Sequence, residues 1–193
     1  MTRRIAVIVG SLRKGAYSAA VARHISKRIP GSETRVVAIG GLPLYNPDLE
    51  DGIDPPEPWA AFRREIEISE GVLFVTPEYN RSIPAAMKNA LDVGSRPSER
   101  NVWGGKRVAV VSTSPGRIGG FGANHALRQC CVNLDMRVMG QPEAYFGDIA
   151  GAMDSDGNIT DERTRATLER FATAFASWIE EGCRSPNMQK LIN

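Results

Sequence analysis

The stretch IAVIVGSLRKG, residues 5–15, decides the fold. Its first half, residues 5–9, is a short continuous apolar run, which is typical of a β-strand that helices cover on both faces, as in a parallel sheet. Its second half is a turn that holds Gly10, Gly15 and two cations, and helically spaced apolar residues begin soon after it. A buried strand that passes through such a turn into a helix is the first unit of an α/β domain.

The same alternation of strand and helix continues to the end of the chain. Strands are predicted at residues 5–9, 35–39, 72–75, 108–111 and 137–140. Helices are predicted at residues 18–29, from a start at 54–57, at 84–93 and at 122–134. The last helix is marked by apolar residues on one face, namely Leu168, Phe171, Ala172, Phe175, Trp178 and Ile179. For the second helix we expect Asp54 as the N-cap, Pro55 at the first position and Glu57 as the N3 acid.

Five strands that alternate with five helices predict an α/β, flavodoxin-like three-layer fold. Right-handed crossovers give a five-stranded parallel sheet in the order 2-1-3-4-5, which this number of units fits better than a six-stranded dinucleotide fold. With 193 residues, of which 42% are hydrophobic, the chain is long enough for one domain. We expect that domain at residues 1–183, followed by a polar C-terminal tail at residues 184–193.

Charge and cysteine content narrow the possible partners and compartment. The net charge is +2 and the cations are spread among acids, so neither a nucleic-acid site nor a polybasic membrane anchor is predicted. The chain has no apolar run near the roughly 20 residues that a membrane span requires. Its three cysteines lack metal-ligand spacing, which fits a reducing compartment. A cytoplasmic protein is therefore expected.

The candidate ligand site lies in the loops after strands one, three and four, because such sheets bind ligands beyond the carboxyl ends of their strands. The first loop, residues 10–17, places glycines, Ser11, Arg13 and Lys14 directly before a helix. Backbone N–H groups, the helix terminus and a guanidinium all favour a phosphate there. The loop matches neither the GxxxxGK[ST] nor the GxGxxG pattern, which disfavours ATP and a Rossmann-bound NAD.

The other two loops are suited to a flat ring. TPEYNRSIP, residues 76–84, offers a carboxylate, a phenol, a carboxamide and an aromatic face to a planar heterocycle, although a plain turn capped by Ser82 is the alternative. STSPGRIGGFG, residues 112–122, has little side-chain bulk, so its backbone can lie against such a ring.

Four segments resemble the NADPH-dependent FMN reductase family, specifically its branch of bacterial quinone and chromate reductases. They are GSLRKGAYS at 10–18, LPLYNPDLE at 42–50, TPEYNRSIPAAMKNALD at 76–92 and STSPGRIGG at 112–120. The resemblance implies an FMN-dependent NAD(P)H oxidoreductase with noncovalent FMN. NADPH or NADH would be the electron donor, and quinones, chromate, azo or nitro compounds the acceptors.

The resemblance also implies which residues bind the cofactor. Ser11, Arg13 and Ser18 would hold the FMN phosphate. The ribityl chain and isoalloxazine ring would be lined by Pro77, Glu78, Tyr79, Asn80 and Ser82, and the far side closed by Ser114, Gly116 and Gly119. Because the flavin carries the chemistry, no catalytic side chain and no metal are expected. His24 and His125 are expected at the surface or at an interface. A homodimer, and a dimer of dimers with Arg128 and Glu143 at subunit contacts, is implied.

Three positions depart from the family pattern. Ala16 and Ser18 stand where relatives often have Ser and Asn, so that some phosphate contacts would come from the backbone alone. Arg81 stands where an aromatic residue is frequent, which would make the substrate pocket more receptive to anions.

A flavodoxin-type electron carrier serving a protein partner is the alternative function. The sequence pI of about 8.5 and the Arg13-Lys14 pair disfavour it, because flavodoxins tend to be acidic and to use a Ser/Thr-rich phosphate loop. A receiver domain would need acidic residues at the ends of strands one and three, and a low-molecular-weight phosphatase would need a cysteine in the first loop. Neither requirement is met.

Overall fold

The computed structural model describes residues 2–50 and 54–183, which form one parallel sheet with helices on both faces. The strands are β1 (Arg3–Val9), β2 (Ser32–Val36), β3 (Gly71–Pro77), β4 (Arg107–Thr113), β5 (Arg137–Val138) and β6 (Tyr145–Phe146). The helices are α1 (Tyr17–Ser26), α2 (Glu57–Glu67), α3 (Ala85–Gly94), α4 (Phe121–Asn133) and α5 (Glu162–Cys183). The tail expected at 184–193 lies outside the described residues.

The strand order is β2-β1-β3-β4-β5 with parallel pairing throughout, which confirms the predicted flavodoxin-like order. The short strand β6 was not predicted. It pairs with the last residues of β4, Ser112 opposite Tyr145 and Thr113 opposite Phe146. Two residues are too few to show a periodic pattern, so the sequence carried no signal for β6. Its effect is to widen the sheet only at the carboxyl edge.

Each face of the sheet carries its own hydrophobic core. Ile5 and Val7 of β1 pack in the core under α1 and α5, whereas Ala6 and Ile8 pack in the core under α2, α3 and α4. This alternation follows from the two-residue period of a strand, which sends successive side chains to opposite faces. The apolar face predicted for the last helix is buried in the first core, with Trp178 only partly buried. The three-layer arrangement is confirmed.

Several predicted boundaries were wrong, and the reasons are local. Gly31, with φ of 63°, turns the chain directly into the sheet, so β2 begins at Ser32, and the apolar residues 37–39 that suggested a later strand follow it. The N-cap of α2 is Pro56, not Asp54, because Pro55 precedes another proline, which disfavours helical backbone angles at position 55. Pro84 is likewise the N-cap of α3 and not its first residue. Elsewhere, α1 ends at Ser26 and not at the predicted residue 29, and β5 ends at Val138 and not at residue 140.

Within residues 2–50 and 54–183, no helix combines the length and apolar character needed to cross a membrane.

Candidate functional site

The first loop leaves β1 in close contact with β3. The Gly10 amide donates to the Val75 carbonyl at 2.9 Å. A Cβ at position 10 would lie 3.0 Å from Oγ1 of Thr76, so that a larger residue would push the loop away from the strand. Beyond Gly10, the Ser11 hydroxyl accepts from the Arg13 amide at 3.3 Å, and Arg13 itself is exposed. The hydrogen bonds that fix the loop use backbone amides, so the Arg13 guanidinium remains available to a ligand.

The N-terminus of α1 lacks a side-chain cap. Its N-cap residue, Ala16, has no side chain that accepts a hydrogen bond, and the first turn holds no acidic residue. Ser18 is only 1% exposed, and its hydroxyl has no hydrogen-bond partner within the described chain. A buried hydroxyl without a partner costs about 1–3 kcal/mol, so it calls for an explanation. An uncapped helix start beside Arg13 and Lys14 fits a bound phosphate.

The second loop contains a tight two-residue turn. Backbone hydrogen bonds of 2.9 and 3.0 Å join Tyr79 and Ser82 in both directions. Asn80 and Arg81 between them have φ of 51° and 66°, both in the left-handed region, which is the geometry of a type I′ hairpin turn. A turn therefore exists here, as the alternative interpretation held, but the backbone closes it and not the Ser82 side chain. The turn leaves Tyr79 half exposed at the carboxyl edge of the sheet.

Glu78 has a structural role that the sequence did not reveal. One carboxylate oxygen accepts from the amide of Ala123 in the first turn of α4 at 3.2 Å. The other accepts from Arg81 at 3.3 Å, and only 13% of the Glu78 side chain is exposed. The carboxylate is thus committed to holding the second loop on α4. For a ligand at this site, Glu78 offers its backbone more readily than its side chain.

The third loop satisfies its own polar groups. The Ser114 hydroxyl accepts from the Gly116 amide at 3.0 Å, and the Ser112 hydroxyl donates to the Gly119 carbonyl at 2.7 Å. The buried Asn124 donates to Ser112 at 3.2 Å. At Gly119, with φ of 65°, a Cβ would lie 2.8 Å from the carbonyl carbon of Tyr145. These hydrogen bonds fix the loop, and Gly119 lets its backbone lie against β6.

The strand register brings the three loops to one edge. Val9 lies opposite Val75, and Pro77 lies opposite Thr113, so Ser11, Glu78 and Ser114 all follow the carboxyl ends of adjacent strands. No ion pair between described residues involves Arg13 or Lys14. Together, the loops offer a cationic, uncapped helix start next to two backbone-lined walls. A ligand with a phosphate at one end and a flat ring at the other matches that arrangement.

The two residues expected at subunit contacts make contacts inside the chain. Arg128 donates to Asn124 at 2.8 Å and to the Met139 carbonyl at 3.0 Å. Glu143 accepts from the Tyr145 hydroxyl at 2.9 Å. These bonds fix both side chains near α4 but do not test their part in an assembly.

The two histidines differ. His125 is exposed, as expected, and its ring packs against Phe121 at a centroid distance of 4.1 Å and an interplanar angle of 37°. His24, also expected at the surface or at an interface, is half-buried, and its Nε2 atom lacks a partner in the described residues. Burial, and then the nearby Arg28, lower the pKa of His24. The helix predicted at 122–134 contains His125, but the sequence gave no sign that Phe121 and Tyr145 pack against its ring.

The chain is similar to known flavin-dependent reductases. Residues 3–151 match the family model for NADPH-dependent FMN reductase. A quinone reductase of Pseudomonas putida is 55% identical over 177 residues, covering 91% of this chain and 94% of the relative. A 2-hydroxy-1,4-benzoquinone reductase of a Burkholderia species is 43% identical, covering 94% and 98%.

The fold has a solved counterpart in a flavoenzyme of Paracoccus denitrificans described as an NAD(P)H:(acceptor) oxidoreductase. The two share 41% sequence identity with a TM-score of 0.86, over 93% of this chain and 98% of that one. The resemblance seen in the sequence motifs is therefore confirmed over nearly the whole length. The chain belongs to the NADPH-dependent FMN reductase family.

Proposed function

We propose that this chain, an FMN-dependent NAD(P)H oxidoreductase by family, passes electrons from NAD(P)H through bound FMN to quinones. The observation that carries the proposal is the uncapped start of α1, where the buried Ser18 hydroxyl has no partner among the described residues and the preceding loop exposes Arg13 and Lys14. Two relatives that are 55% and 43% identical carry names of quinone reductases, which supports the choice of acceptor.

In this proposal each loop binds one part of FMN. Ser11, Arg13, Ser18 and the free amides at the start of α1 hold the phosphate. Pro77, Tyr79, Asn80, Ser82 and the backbone of Glu78 line the ribityl chain and the ring, and Ser114, Gly116 and Gly119 close the far side. The residues present fit such a group. A phosphate would cap the start of α1, and hydrogen bonds within the chain hold the other two loops in place around the proposed ring site.

When bound, FMN supplies the exchange of a hydride with nicotinamide and with the acceptor. The chain contributes binding and orientation. The Gly10 and Gly119 positions keep the backbone close to the neighbouring strands, and Glu78 fixes the second loop to α4. With one site serving both substrates, NAD(P)H and acceptor would bind in turn. Steady-state kinetics should then give parallel double-reciprocal lines; intersecting lines would contradict this scheme.

Arg81 favours acceptors that carry negative charge. Its side chain is 74% exposed on the turn, and its only ion pair within the described ranges is the 3.3 Å contact with Glu78. A guanidinium in this place attracts oxyanions such as an ionised hydroxyquinone or chromate. Substituting Arg81 with Gln should raise KM for an ionised hydroxyquinone more than KM for a neutral quinone of similar size. An equal rise in KM for both quinones would contradict a role of Arg81 in attracting negatively charged acceptors.

A visible spectrum tests cofactor binding most directly. The pure protein should show flavin absorption, or should gain it on addition of FMN, and a protein that stays colourless would overturn the proposal. Oxidation of NAD(P)H by the purified protein with a quinone, and without a partner reductase, separates the enzyme from a flavodoxin-type carrier. A carrier would show no turnover in that assay.

The assembly and location proposed are a cytoplasmic homodimer, with dimers pairing through Arg128 and Glu143. Large apolar side chains are exposed near these residues, including Phe121 at 49% and Val132 at 71%, and such patches favour protein contacts. Light scattering should give the mass of a dimer or tetramer. Loss of tetramers in a Glu143→Ala variant would support the proposed contact between dimers. A monomer in the unaltered protein would contradict both the dimer and the tetramer.

A further inference from the structure

A cavity of about 400 Å³ extends from the start of α1 along one side of that helix. One wall is formed by residues between 15 and 23, at the end of the first loop and in the first turns of α1. The opposite wall is formed by residues between 150 and 157, which follow β6. Pockets for small molecules have volumes of about 300–1,000 Å³. The cavity is therefore large enough to hold a substantial part of a ligand.

Both walls of the cavity are continuous with the proposed flavin site. Residues 15–17 line the cavity and belong to the loop and helix start where the FMN phosphate is proposed to bind. On the other wall, the Ile149 amide donates to the Ser114 carbonyl at 3.3 Å, and Ala150 directly after it lines the cavity. Ser114 is one of the residues proposed to close the flavin site. A long ligand that contacts the flavin can therefore continue along this side of α1 into the cavity.

Arg23 brings an unpaired cation to the cavity. It lies six residues after Tyr17, which is about 9 Å further along the helix axis. Within residues 2–50 and 54–183, no ion pair involves Arg23. Its Nη2 atom packs against Gly157, where a Cβ would come within 3.1 Å of it. The guanidinium thus lies at the wall of the cavity and is available to an anion.

Two carboxylates also line the cavity, but neither forms an ion pair with Arg23. Oδ1 of Asp154 accepts from the amides of Asp156 and Asn158 at 3.0 and 2.8 Å, and Oδ2 accepts from the Asn158 side chain at 3.0 Å. The Asp154 carboxylate is therefore engaged in closing its own turn. Asp156 is exposed, so water and salt screen its charge. Asp156 should weaken, without abolishing, the attraction of Arg23 for an anion.

The remainder of the cavity suits a flat and mostly apolar group. Tyr17 and Met153 are both partly buried and belong to opposite walls. Ala20 and Ala150 line the cavity with small side chains that leave its space open. Aromatic rings stack on heterocyclic bases, and thioethers pack well against aromatic groups. A heterocyclic base on a sugar that carries a phosphate therefore matches both the apolar walls and the guanidinium.

NADPH and NADH differ in one group, the phosphate on the 2′ oxygen of the adenosine ribose. In dinucleotide-binding proteins, an arginine near this ribose accommodates the 2′-phosphate. We propose that the cavity binds the adenosine 2′-phosphate end of NADPH, with Arg23 as the residue that binds the phosphate. The chain then prefers NADPH to NADH. This inference rests on the proposed function, because it requires a nicotinamide donor at the flavin.

Binding of a donor fragment tests this assignment without turnover. Holoenzyme saturated with FMN, so that the phosphate site at α1 is filled, is titrated in a calorimeter with adenosine 2′,5′-bisphosphate or with 5′-AMP, which lacks the 2′-phosphate. The bisphosphate should bind about 10-fold more tightly. This difference should disappear in Arg23→Gln and increase in Asp156→Asn. Equal binding of the two fragments by the unaltered protein, or a difference that survives Arg23→Gln, would overturn the proposal.

Lys27→Gln is the matched control, because it removes the same charge one helical turn after Arg23. Lys27 is exposed, lies at the end of α1 outside the cavity lining, and makes no ion pair with any described residue. The preference for the bisphosphate should persist in this variant. A loss as large as that in Arg23→Gln would indicate a general effect of net charge and would contradict the assignment of Arg23.

Kinetics with both donors relate the cavity to the reaction. Arg23→Gln should raise KM for NADPH about 10-fold more than KM for NADH, and the bisphosphate should compete with NADPH. Inhibition that is not competitive would place the fragment outside the donor site and overturn the proposal. If the proposed function fails, the protein will bind no FMN or will oxidise neither donor. If this inference alone fails, FMN binding and quinone reduction will remain, with a donor preference that Arg23→Gln does not change.

Discussion

Helices α1 and α4 begin at the same edge of the sheet but differ in how their first amides are satisfied. At α4, Glu78 supplies a carboxylate from another loop, 3.2 Å from the Ala123 amide. At α1, the N-cap is Ala16, the first turn has no acid, and Ser18 buries a hydroxyl without a partner in the described chain. A helix start attracts negative charge in either case. The protein supplies that charge itself at α4, whereas at α1 we propose that the FMN phosphate supplies it.

The difference teaches how a binding site can be recognised without its ligand. Where the chain itself caps the first N–H groups of a helix, the contact has a structural role. Where those N–H groups lack a cap and cations lie nearby, the helix start indicates a binding site for an anion. The four predictions that follow test whether α1 serves the ligand and α4 serves the fold.

The largest effect is expected from Arg13→Ala. Arg13 is exposed and makes no ion pair with any described residue, so the free energy of unfolding of the apoprotein should not change. Loss of charge-assisted bonds to phosphate should weaken FMN binding by about 1.5–3 kcal/mol. A titration that follows FMN fluorescence measures this loss of affinity. Lys14→Ala is the control and should lose less affinity; a larger loss there would reassign the phosphate contact.

Glu78→Ala should act on the fold. Removing the carboxylate leaves the start of α4 without its cap, and the free energy of unfolding should fall by about 1–2 kcal/mol in urea, with or without FMN. Glu78→Gln retains an acceptor for the Ala123 amide and should lose less stability. Unchanged stability in Glu78→Ala would show that the two helix starts do not differ as described.

Ser18→Ala should weaken FMN binding without lowering the free energy of unfolding of the apoprotein. The apoprotein loses a buried unpartnered hydroxyl, so its free energy of unfolding should stay level or rise by up to about 1 kcal/mol. FMN affinity should fall by about 1 kcal/mol. Ser26 provides the control, because its hydroxyl is also buried with no partner in residues 2–50 and 54–183 but lies at the other end of α1. Ser26→Ala should leave FMN affinity unchanged, and a loss there would argue against a phosphate at the start of the helix.

The smallest effect is expected in the turn beside α4. Arg81 has φ of 66°, a conformation that is unfavourable for residues other than glycine. Arg81→Gly creates the Asn-Gly pair that type I′ turns prefer, and it should raise the free energy of unfolding by about 0.5–1 kcal/mol. Asn80→Gly should gain less, since asparagine tolerates this region. A loss of stability in Arg81→Gly would mean that the ion pair with Glu78 outweighs the backbone strain.

Patterns local in sequence predicted most of the fold. The apolar run at residues 5–9, the Gly10 turn and the helical face of α5 were identified because each depends on neighbours within a few turns of chain. The N-cap of α2 was wrong because Asp54 fits a capping pattern, but Pro55 precedes Pro56 and so disfavours helical angles, and the helix starts only after Pro56. Strand β6 was missed because its two residues gain their structure from pairing with β4.

The candidate site was less predictable than the fold. The sequence marked all three loops, but the assignment of individual side chains came from family resemblance and stays a prediction. Glu78 accepts from the amide of Ala123, which lies 45 residues further along the chain, and Tyr145 contacts His125 across 20 residues. Contacts of this kind depend on how the loops pack at the sheet edge, which periodicity and spacing do not encode.

The unsatisfied start of α1 has a consequence for the life of the protein in a cell. A ligand that binds only the folded state adds stability in proportion to the logarithm of its free concentration, about 2.7 kcal/mol at one hundred times Kd. If FMN completes α1, newly made chains that find no flavin will unfold more often and meet proteases sooner. The amount of enzyme will then follow the supply of its cofactor, with no dedicated regulator.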